Sequence, residues 1–514
     1  MSNQAGQGAA RNGIAALAGW KLTAAFVAGA LVGAVSAVQV VPSFQGTSAD
    51  GTPIALDDTT GSAITGTTGG TGTTSGKDGA KGSAGGGGAA GAAATSGGGA
   101  GGAVLPPGRA GLECAPGKNG GSTDQGVTGS EIEMATTVAE SGPGAAFLGE
   151  VRYGMDAIVA KVNAAGGICG RKLVIQYVDD GWDAQKGAQY LRNFIQQRIF
   201  AIPVGPSSEG LRVVIDSGDV DRGRIPVVGT DGMLQNQYVR SDGGAQPWVW
   251  PVAAATVSSA RIMVQEAYKR GARDFSIVFD KNYRFGVEAA EAFNAEVKRL
   301  TGKPVPGYNS QYTCQEQFCG IIAGRTSYSS DVATFEEGDF VALFVEPGTG
   351  LAWMNDPNAK KPSDVKYGYG AAQPLFTREF AENCKSKCDQ MRVWTGFKPP
   401  IEGYANDPKV KQYVEDLKRT KPDADEYNAF TQGGYIGMML LVDALKMVGP
   451  DLTRDRLKTA LDHISLKTGL TLQDRLPFTP ASRFANTTMQ AFTIQYKGTF
   501  GGWRAGPIVR DVNP

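Results

Sequence analysis

Two adjacent serines, Ser207 and Ser208, lie where a predicted strand meets a predicted helix. The strand ends at Val204, and the helix begins after Ser208. In open α/β sheets, ligands bind at the carboxyl ends of strands. A helix N-terminus presents unpaired N–H groups and a partial positive charge, which suit a carboxylate ligand. The sequence therefore predicts a carboxylate site here, although a serine that only caps the helix is the alternative.

Catalytic motifs are not evident elsewhere in the sequence. No nucleophile elbow, zinc-protease motif or dinucleotide glycine pattern follows a predicted strand. The single histidine, His463, lies near the end of a helical pattern, where a solvated or capping role is expected. The 50 basic and 50 acidic residues cancel, which argues against nucleic acid as a partner. These features favour a binding protein over an enzyme, with no cofactor or metal ion expected.

The segment 131–180 contains the clearest folding unit. Short apolar stretches at Ile132–Val138 and Lys172–Val178 are typical of strands. Between them, residues from about Gly149 to Ala164 carry apolar side chains at helical spacing, and a glycine pair ends the pattern. This order predicts a βαβ unit with two parallel strands.

Strands and helices continue to alternate, which predicts an α/β protein with parallel sheets. So many strands indicate two sheets. Strands are expected at 131–138, 172–178, 199–205, 224–229, 274–279, 304–312, 339–345, 365–369, 391–395, 490–497 and 507–512. Helices are expected near 149–164, 184–198, 208–217, 256–270, 285–300, 349–355, 376–386 and 427–448. The run Trp248–Pro251 interrupts the pattern and is expected to cross between two lobes.

The order of these pieces resembles the type I periplasmic binding proteins, and especially the branched-chain amino acid receptors of ABC importers. The matching features are a first strand, Ser141-Gly142-Pro143, Phe147, a helix that ends in the stretch Asn163–Leu173, and the strand end Asp179-Asp180. The resemblance extends from about Val127 to the C-terminus.

The resemblance implies two doubly wound α/β lobes joined by a hinge of three chain crossings, with the ligand in the cleft between them. Lobe one would comprise residues 127–250 and 396–480, and lobe two residues 251–395 and 487–514. The implied function is an extracytoplasmic receptor that captures a small molecule and delivers it to an ABC permease. A ligand-sensing receptor that signals to a membrane partner is the alternative, and a hydrolase acting in the cleft is a third possibility.

The resemblance also assigns polar ligand contacts. The family binds the ligand carboxylate at a serine in the loop that here contains Ser207 and Ser208, and the sequence does not distinguish between them. A second polar group would fall on Thr230 and Asp231, in the loop after the next strand. A plain turn with an aspartate cap explains these two residues equally well.

Two aromatic residues occupy positions that line the cleft in the family. Phe147 is one of them, with a buried core aromatic as the alternative. Tyr283 matches the aromatic residue that closes over the ligand. The sequence departs from the family pattern there, because Arg284 and Phe285 precede Gly286. We therefore expect this loop to be longer or differently shaped.

Glu346 follows a predicted strand at a position where relatives place a ligand contact. Its carboxylate would pair with an ammonium group in a dry cleft, and an exposed loop acid is the alternative. After the next strand, amino acid receptors commonly carry an acid for the α-ammonium group, whereas this chain has Ala371, Ala372 and Gln373. Either Glu346 or Asp231 replaces that acid, or the ligand lacks an ammonium group. Amino acids, small carboxylates, amides and aromatic acids are thus all open.

The cysteines predict three disulfides, because an even number in an exported chain favours pairing. Cys314 with Cys319, and Cys384 with Cys388, would each close a short loop, which leaves Cys114 with Cys169. A zinc site built from the two close pairs is one alternative. Free buried thiols are the other.

Residues 1–45 are predicted to export the protein, and residues 46–113 to form a disordered linker rich in Gly, Ser, Thr and Ala. The apolar stretch Leu22–Val41 is long enough to span a bilayer as a helix. It also fits a signal peptide, since Val35-Ser36-Ala37 resembles a cleavage site. Either interpretation places the rest of the chain outside the cytoplasm, anchored to the membrane if the segment is retained.

Overall fold

A computed structural model describes residue 114 and residues 118–230, 233–512 and 514. The predicted N-terminal apolar helix and the Gly-rich linker therefore lie outside the described residues. Within those described ranges, no helix is both long and apolar enough to cross a membrane.

The first sheet is built from parallel strands near the start of the described chain. These are β1 (Glu131–Val138), β2 (Lys172–Asp179), β3 (Ile202–Pro203), β4 (Val227–Thr230) and β5 (Val249–Pro251). The connecting helices are α1 (Ala145–Leu148), α2 (Val151–Ala164), α3 (Ala184–Gln196), α4 (Ser208–Asp216) and α5 (Asp219–Gly223). β1 pairs with β2, β3 with β4 and β4 with β5. A bridge between Met134 and Ala201 places β3 beside β1, so the order is β2-β1-β3-β4-β5.

The second sheet has seven strands in the order β14-β13-β10-β9-β8-β6-β7. The five strands β6 to β10 are parallel, with β7 at one edge of the sheet. β13 and β14 form a hairpin that pairs antiparallel with β10 and ends the sheet at the other edge. The strands are β6 (Phe275–Asp280), β7 (Phe318–Ile321), β8 (Phe340–Phe344), β9 (Tyr369–Ala371), β10 (Arg392–Thr395), β13 (Thr488–Tyr496) and β14 (Phe500–Arg510). Their helices are α6 (Thr256–Arg270), α7 (Arg284–Thr301), α8 (Ser329–Thr334), α9 (Pro347–Met354) and α10 (Arg378–Cys384).

After β10 the chain returns to the first sheet. It forms α11 (Pro408–Thr420), α12 (Ala429–Val448) and α13 (Arg454–Leu461), then a short hairpin of β11 (Ser465–Leu466) and β12 (Leu476–Pro477). α12 packs closely on the end of β4, since a Cβ atom at Gly229 would lie 2.3 Å from the Cα of Gly437. Gly229 also has a φ of +80°, which favours glycine. The lobe boundaries given above stay a prediction.

Helices that alternate with mostly parallel strands confirm the predicted α/β class. The predicted strand at 365–369 overlaps β9 only at Tyr369, because residues 365–367 form a bend and a turn and Gly368 has a φ of +74°. The predicted strand at 304–312 is wrong: this segment contains Pro304, Pro306 and Gly307 and forms turns. Proline lacks the N–H that a sheet needs, and Gly307 has a φ of +78°. The strand at this edge is β7, which is only four residues long and therefore too short for a periodic signal. The run Trp248–Pro251 also differs from expectation, because it contributes β5 to the first sheet.

All three predicted disulfides are present, namely Cys114–Cys169, Cys314–Cys319 and Cys384–Cys388. The two alternatives, a zinc site and free thiols, are therefore wrong for these six residues. The sulfur atoms of Cys314 and Cys319 do lie within 4.8 Å of a carboxylate oxygen of Asp331. Because both sulfurs are in a disulfide, they offer no thiolate to a metal ion.

Candidate functional site

A small cavity lies where the carboxyl ends of the first sheet face the second sheet. We call it the aromatic cavity. Its volume is about 20 Å³, which is space for roughly one water molecule. The loops after β1, β2, β3 and β4 and the start of α12 supply one side, and the start of α7 and the loop after β9 supply the other. The lining residues are Phe147, Leu148, Trp182, Pro206, Ser208, Met233, Leu234, Phe285, Pro374 and Phe430.

Phe147 lines this cavity and is 2% exposed, and its contact with a ligand stays a prediction. Its ring makes edge contacts with Trp182 and Phe430, each at a centroid distance of 5.2 Å. Asn428 connects the residues on either side of this contact. Its side chain donates to the carbonyl oxygen of Phe147 and accepts a hydrogen bond from the N–H of Phe430. The start of α12 is thereby held against the loop after β1.

The strand-to-helix junction at Ser207 and Ser208 has an unusual backbone. Val204 has a φ of +60°, a conformation that β-branched residues rarely adopt, and Gly205 follows with a φ of +56°. Ser207 occupies the N-cap position of α4 but makes no side-chain cap hydrogen bond. Simple capping by Ser207 is therefore not observed. Ser208 is the first residue of α4 and lines the aromatic cavity.

The Ser207 hydroxyl instead faces the buried carboxyl group of Asp180. Burial raises the pKa of Asp180, although the nearby Ser207 hydroxyl, the hydrogen bond from the Trp182 amide and the nearby Thr137 hydroxyl oppose that shift. The Ser207 and Thr137 hydroxyl oxygens have no hydrogen-bond partner among the described residues. Gly187 permits this arrangement, since a Cβ atom there would lie 2.6 Å from Oδ2 of Asp180. Of the two serines, Ser208 is thus the one that the fold directs toward the cavity.

Thr230 is the last residue of β4 and is fully buried. Its hydroxyl oxygen has no hydrogen-bond partner among the described residues. Asp231 lies outside the described residues. Both assignments stay predictions.

Tyr283 is the N-cap residue of α7, on the second-sheet side of the cavity. Its ring stacks on the indole of Trp182 at a centroid distance of 3.9 Å and an interplanar angle of 22°. Burial, with help from the nearby carboxyl groups of Asp280 and Glu346, raises the pKa of Tyr283 to about 12. The phenol is therefore neutral at physiological pH. The stacked rings are a direct contact between α7 and Trp182 in the loop after β2.

Glu346 is not an exposed loop acid, since it is 3% exposed and caps α9. Its carboxylate accepts hydrogen bonds from the amides of Gly348 and Thr349 and from the Thr349 hydroxyl. The neighbouring Asp280 accepts the Glu346 amide at 2.7 Å. Burial and the Glu346 carboxylate raise the pKa of Asp280 well above its ordinary value. Pairing of Glu346 with a ligand ammonium group stays a prediction, and it would have to compete with this cap.

Two buried glutamates connect the elements of the two sheets, and we call them the cross-sheet clasp. Glu209, in the first turn of α4, accepts the backbone N–H of Arg284 at 2.8 Å, where α7 begins. Glu288 of α7 accepts the backbone N–H of Gln235 at 2.9 Å, in the loop after β4. Burial raises the pKa of Glu209, although Arg212 and the amides of Arg284 and Phe285 oppose that shift. The clasp holds Tyr283 and α7 against the first-sheet loops.

We expect the Glu209→Ala variant to have a free energy of unfolding about 1–3 kcal/mol lower than that of the wild type. The reason is that the buried amide of Arg284 loses its acceptor. Glu209→Gln keeps a carbonyl oxygen at this position and should lose less. Urea unfolding followed by circular dichroism measures both changes. Glu379→Ala, at an exposed first-turn glutamate of α10, is the control and should stay within about 0.5 kcal/mol. Equal losses for Glu209→Ala and Glu379→Ala would contradict the clasp.

Sequence reasoning did not identify three residues of this site. Trp182 had a local signal, because it follows the acid pair and Gly181 at the end of β2. Its φ of +64°, which non-glycine residues rarely adopt, is evident only in the structure. Glu209 lies inside the predicted serine loop but was not assigned a role. Phe430 carried no local signal, since it comes from α12, far along the chain from the other first-sheet loops.

Comparison with known proteins identifies the fold. Residues 131–313 match the model of the periplasmic binding protein family. A fatty acid ABC transporter substrate-binding protein from Thermomonospora curvata is 18% identical, with a TM-score of 0.62 over 77% of this chain and 97% of its own. A solute binding protein of an ABC transporter from R. palustris, in complex with benzoate, is 16% identical, with a TM-score of 0.57 over 74% of this chain and 98% of its own.

A branched-chain amino acid transporter substrate binding protein from Streptococcus pneumoniae, in complex with isoleucine, is 15% identical. Its TM-score is 0.58, over 74% of this chain and 100% of its own. No curated protein matches the sequence. At these identities the solved structures establish the fold, and they confirm the resemblance to the type I periplasmic binding proteins, including the branched-chain amino acid receptors.

Proposed function

This chain has the fold of the type I periplasmic binding proteins, and from that premise we propose that it is an extracytoplasmic receptor for an ABC importer. It captures a small molecule between a first lobe (127–250 and 396–480) and a second lobe (251–395 and 487–514). A permease in the membrane is its partner, and binding rather than catalysis is its chemistry. Hinge motion between the lobes opens and closes the cleft.

The observation that carries the proposal is the convergence of both sheets on one cavity. Ser208 at the N-terminus of α4, Phe147 after β1 and Phe285 at the start of α7 all line it. Such positions at the carboxyl ends of parallel strands are where α/β proteins bind ligands. An apolar wall with a few polar groups is typical of a small-molecule site.

The ligand class that we propose is an amino acid or a related carboxylate or amide. The fold is shared by a relative in complex with isoleucine and by one in complex with benzoate, so it accommodates both kinds of solute. A thermal-shift screen of the purified protein against amino acids, amides and carboxylates tests the proposal. A ligand present at a hundredfold excess over its Kd should add about 2.7 kcal/mol to the free energy of unfolding. If no solute in the screen raises the melting temperature, the receptor proposal is wrong.

The double variant Ser207→Ala/Ser208→Ala should bind the ligand found in that screen at least tenfold more weakly, or about 1.4 kcal/mol. The reason is loss of the hydroxyl donors beside the α4 amides. Isothermal titration calorimetry measures the Kd, and the melting temperature of the unliganded variant should barely change.

Ser329→Ala/Ser330→Ala is a matched control for this double variant, because these adjacent serines also open a helix, α8, but do not line the aromatic cavity. Its Kd should equal that of the wild type. An unchanged Kd in the Ser207→Ala/Ser208→Ala variant would refute the role of the two serines.

A further inference from the structure

Trp182 is held in a strained position that presents its indole to the second-sheet side. Its φ of +64° is costly for a residue with a side chain. The Trp182 amide donates to the carboxyl group of Asp180 at 2.9 Å, and the ring packs edge-on against Phe147. Strain of this kind persists where the surrounding contacts define one orientation. The indole face is therefore fixed before any ligand arrives.

The ring opposite is Tyr283, at the start of α7. The two ring centroids are 3.9 Å apart and the planes differ by 22°, so the rings form two nearly parallel faces. They belong to elements of different sheets, and the cross-sheet clasp sets their separation through the amide that follows Tyr283. Movement of α7 away from the first-sheet loops would open a flat slot between these rings. Aromatic rings pair favourably in stacked arrangements, so a planar ring fits such a slot best.

Most of the polar groups around the cavity that could accept a hydrogen bond already do so within the protein. Glu209 accepts the Arg284 amide, and Glu346 caps α9. Asp180 accepts the Trp182 amide. At the position where the family's amino acid receptors carry an acid, the side chain of Gln373 accepts the Thr395 hydroxyl at 3.0 Å. Of these four groups, only Asp180 has an oxygen, Oδ2, without a hydrogen-bond partner among the described residues, and burial raises the pKa of that carboxyl group, which favours its neutral form.

Hydrogen-bond donors, in contrast, remain available. The indole N–H of Trp182 is buried in the cavity wall and has no hydrogen-bond partner among the described residues. Ser208 lines the same cavity at the N-terminus of α4, where helix amides favour an anion. A buried donor without an acceptor is unfavourable, so a ligand acceptor at this place is stabilising. The polar contacts thus favour an anionic ligand over a zwitterionic one.

We propose that the cleft selects a planar aromatic monocarboxylate without an amino group. Its ring inserts between Trp182 and Tyr283, and its carboxylate lies at the N-terminus of α4 beside Ser208. Trp182 is then the residue that determines specificity. This inference rests on the proposed receptor function and narrows its ligand class.

Isothermal titration calorimetry on the full chain tests the inference with benzoate, cinnamate and 2-naphthoate as aromatic probes. Cyclohexanecarboxylate carries the same charge on a puckered ring, and phenylalanine adds an ammonium group to an aromatic ring. We expect at least one aromatic probe to bind at least tenfold more tightly than cyclohexanecarboxylate and at least tenfold more tightly than phenylalanine or isoleucine. Tighter binding of an amino acid, or of cyclohexanecarboxylate, would overturn the inference while the receptor function stands. Absence of binding by every solute would overturn the receptor function itself.

Variants at position 182 give the second readout. Trp182→Ala should weaken binding of the aromatic probe at least tenfold, whereas Trp182→Phe keeps a ring and should weaken it less. The melting temperature of each unliganded variant shows whether it is folded. If Trp182→Ala remains folded and binds the aromatic probe as tightly as the wild type, the inserted-ring arrangement is wrong.

Discussion

Replacing Arg483 with alanine is expected to lower the free energy of unfolding by about 3–5 kcal/mol, the cost of breaking a buried ion pair from one side. Arg483 is 1% exposed and donates to Oδ1 of Asp462 at 2.8 Å and to the Gln246 carbonyl oxygen at 2.7 Å. Its guanidinium also lies over the ring of Trp250. Urea unfolding followed by tryptophan fluorescence measures the change.

Arg475→Ala is the control for this substitution. Arg475 is exposed and donates only to the Ser465 carbonyl oxygen among the described contacts. We expect its loss to stay within about 0.5 kcal/mol. A similar loss for both variants would show that the buried pair contributes no more than a surface contact.

Arg483 is important because of where it connects the chain. It lies just before β13, which belongs to the second sheet, and it bonds to residues just before β5 and just after α13 on the first-sheet side. Asn486 makes a similar connection, since its side chain donates to the Val252 carbonyl oxygen at 3.1 Å. The segments that cross between the sheets are thus bonded to each other. In the proposed receptor, these bonds would define the hinge about which the lobes move.

Loss of the Cys114–Cys169 disulfide is expected to lower the free energy of unfolding by about 4 kcal/mol. The disulfide joins residues 55 apart in sequence, and the loss of loop entropy in the unfolded chain grows with that separation. The double serine variant, unfolded in urea under the same conditions as the wild type, measures the effect.

The Cys384–Cys388 disulfide is the matched comparison, because it joins residues only 4 apart. Its double serine variant should lose about 2 kcal/mol by the same loop-entropy relation. A larger loss for the short loop than for the long one would show that native packing, and not loop entropy, dominates at these sites.

The aromatic cavity is already filled by contacts within the protein. Two rings from opposite sides already touch, and the nearby carboxylates are bonded to the protein's own amides. In the proposed receptor, a ligand would therefore replace the contact between Trp182 and Tyr283 with two contacts of its own. A flat apolar body would do this with little loss of packing, whereas burying an ammonium group there is costly.

Local patterns in the sequence were sufficient for most of the fold. The bounds of β1 and α6 agree with expectation residue for residue, because β1 is a short, largely apolar and β-branched stretch between loops rich in polar residues and glycine, and α6 is a 15-residue helix that ends at a glycine. The three disulfides were predictable because two close pairs leave one remaining pair. β7 was not predictable, since four residues carry no periodic signal and the prolines nearby belong to turns.

For the candidate site too, some features follow from the sequence and others only from the tertiary structure. The sequence by itself determined that Ser207 and Ser208 open a helix after a strand, and the resemblance placed Phe147 and Tyr283 at a cleft. Only the tertiary structure decided which serine reaches the cavity, that Glu346 caps its own helix, and that Trp182 stacks on Tyr283. The physical reason is that helix and strand periodicity depends on residues a few positions apart. A contact between loops of two sheets depends on how those sheets face each other, which no local pattern encodes.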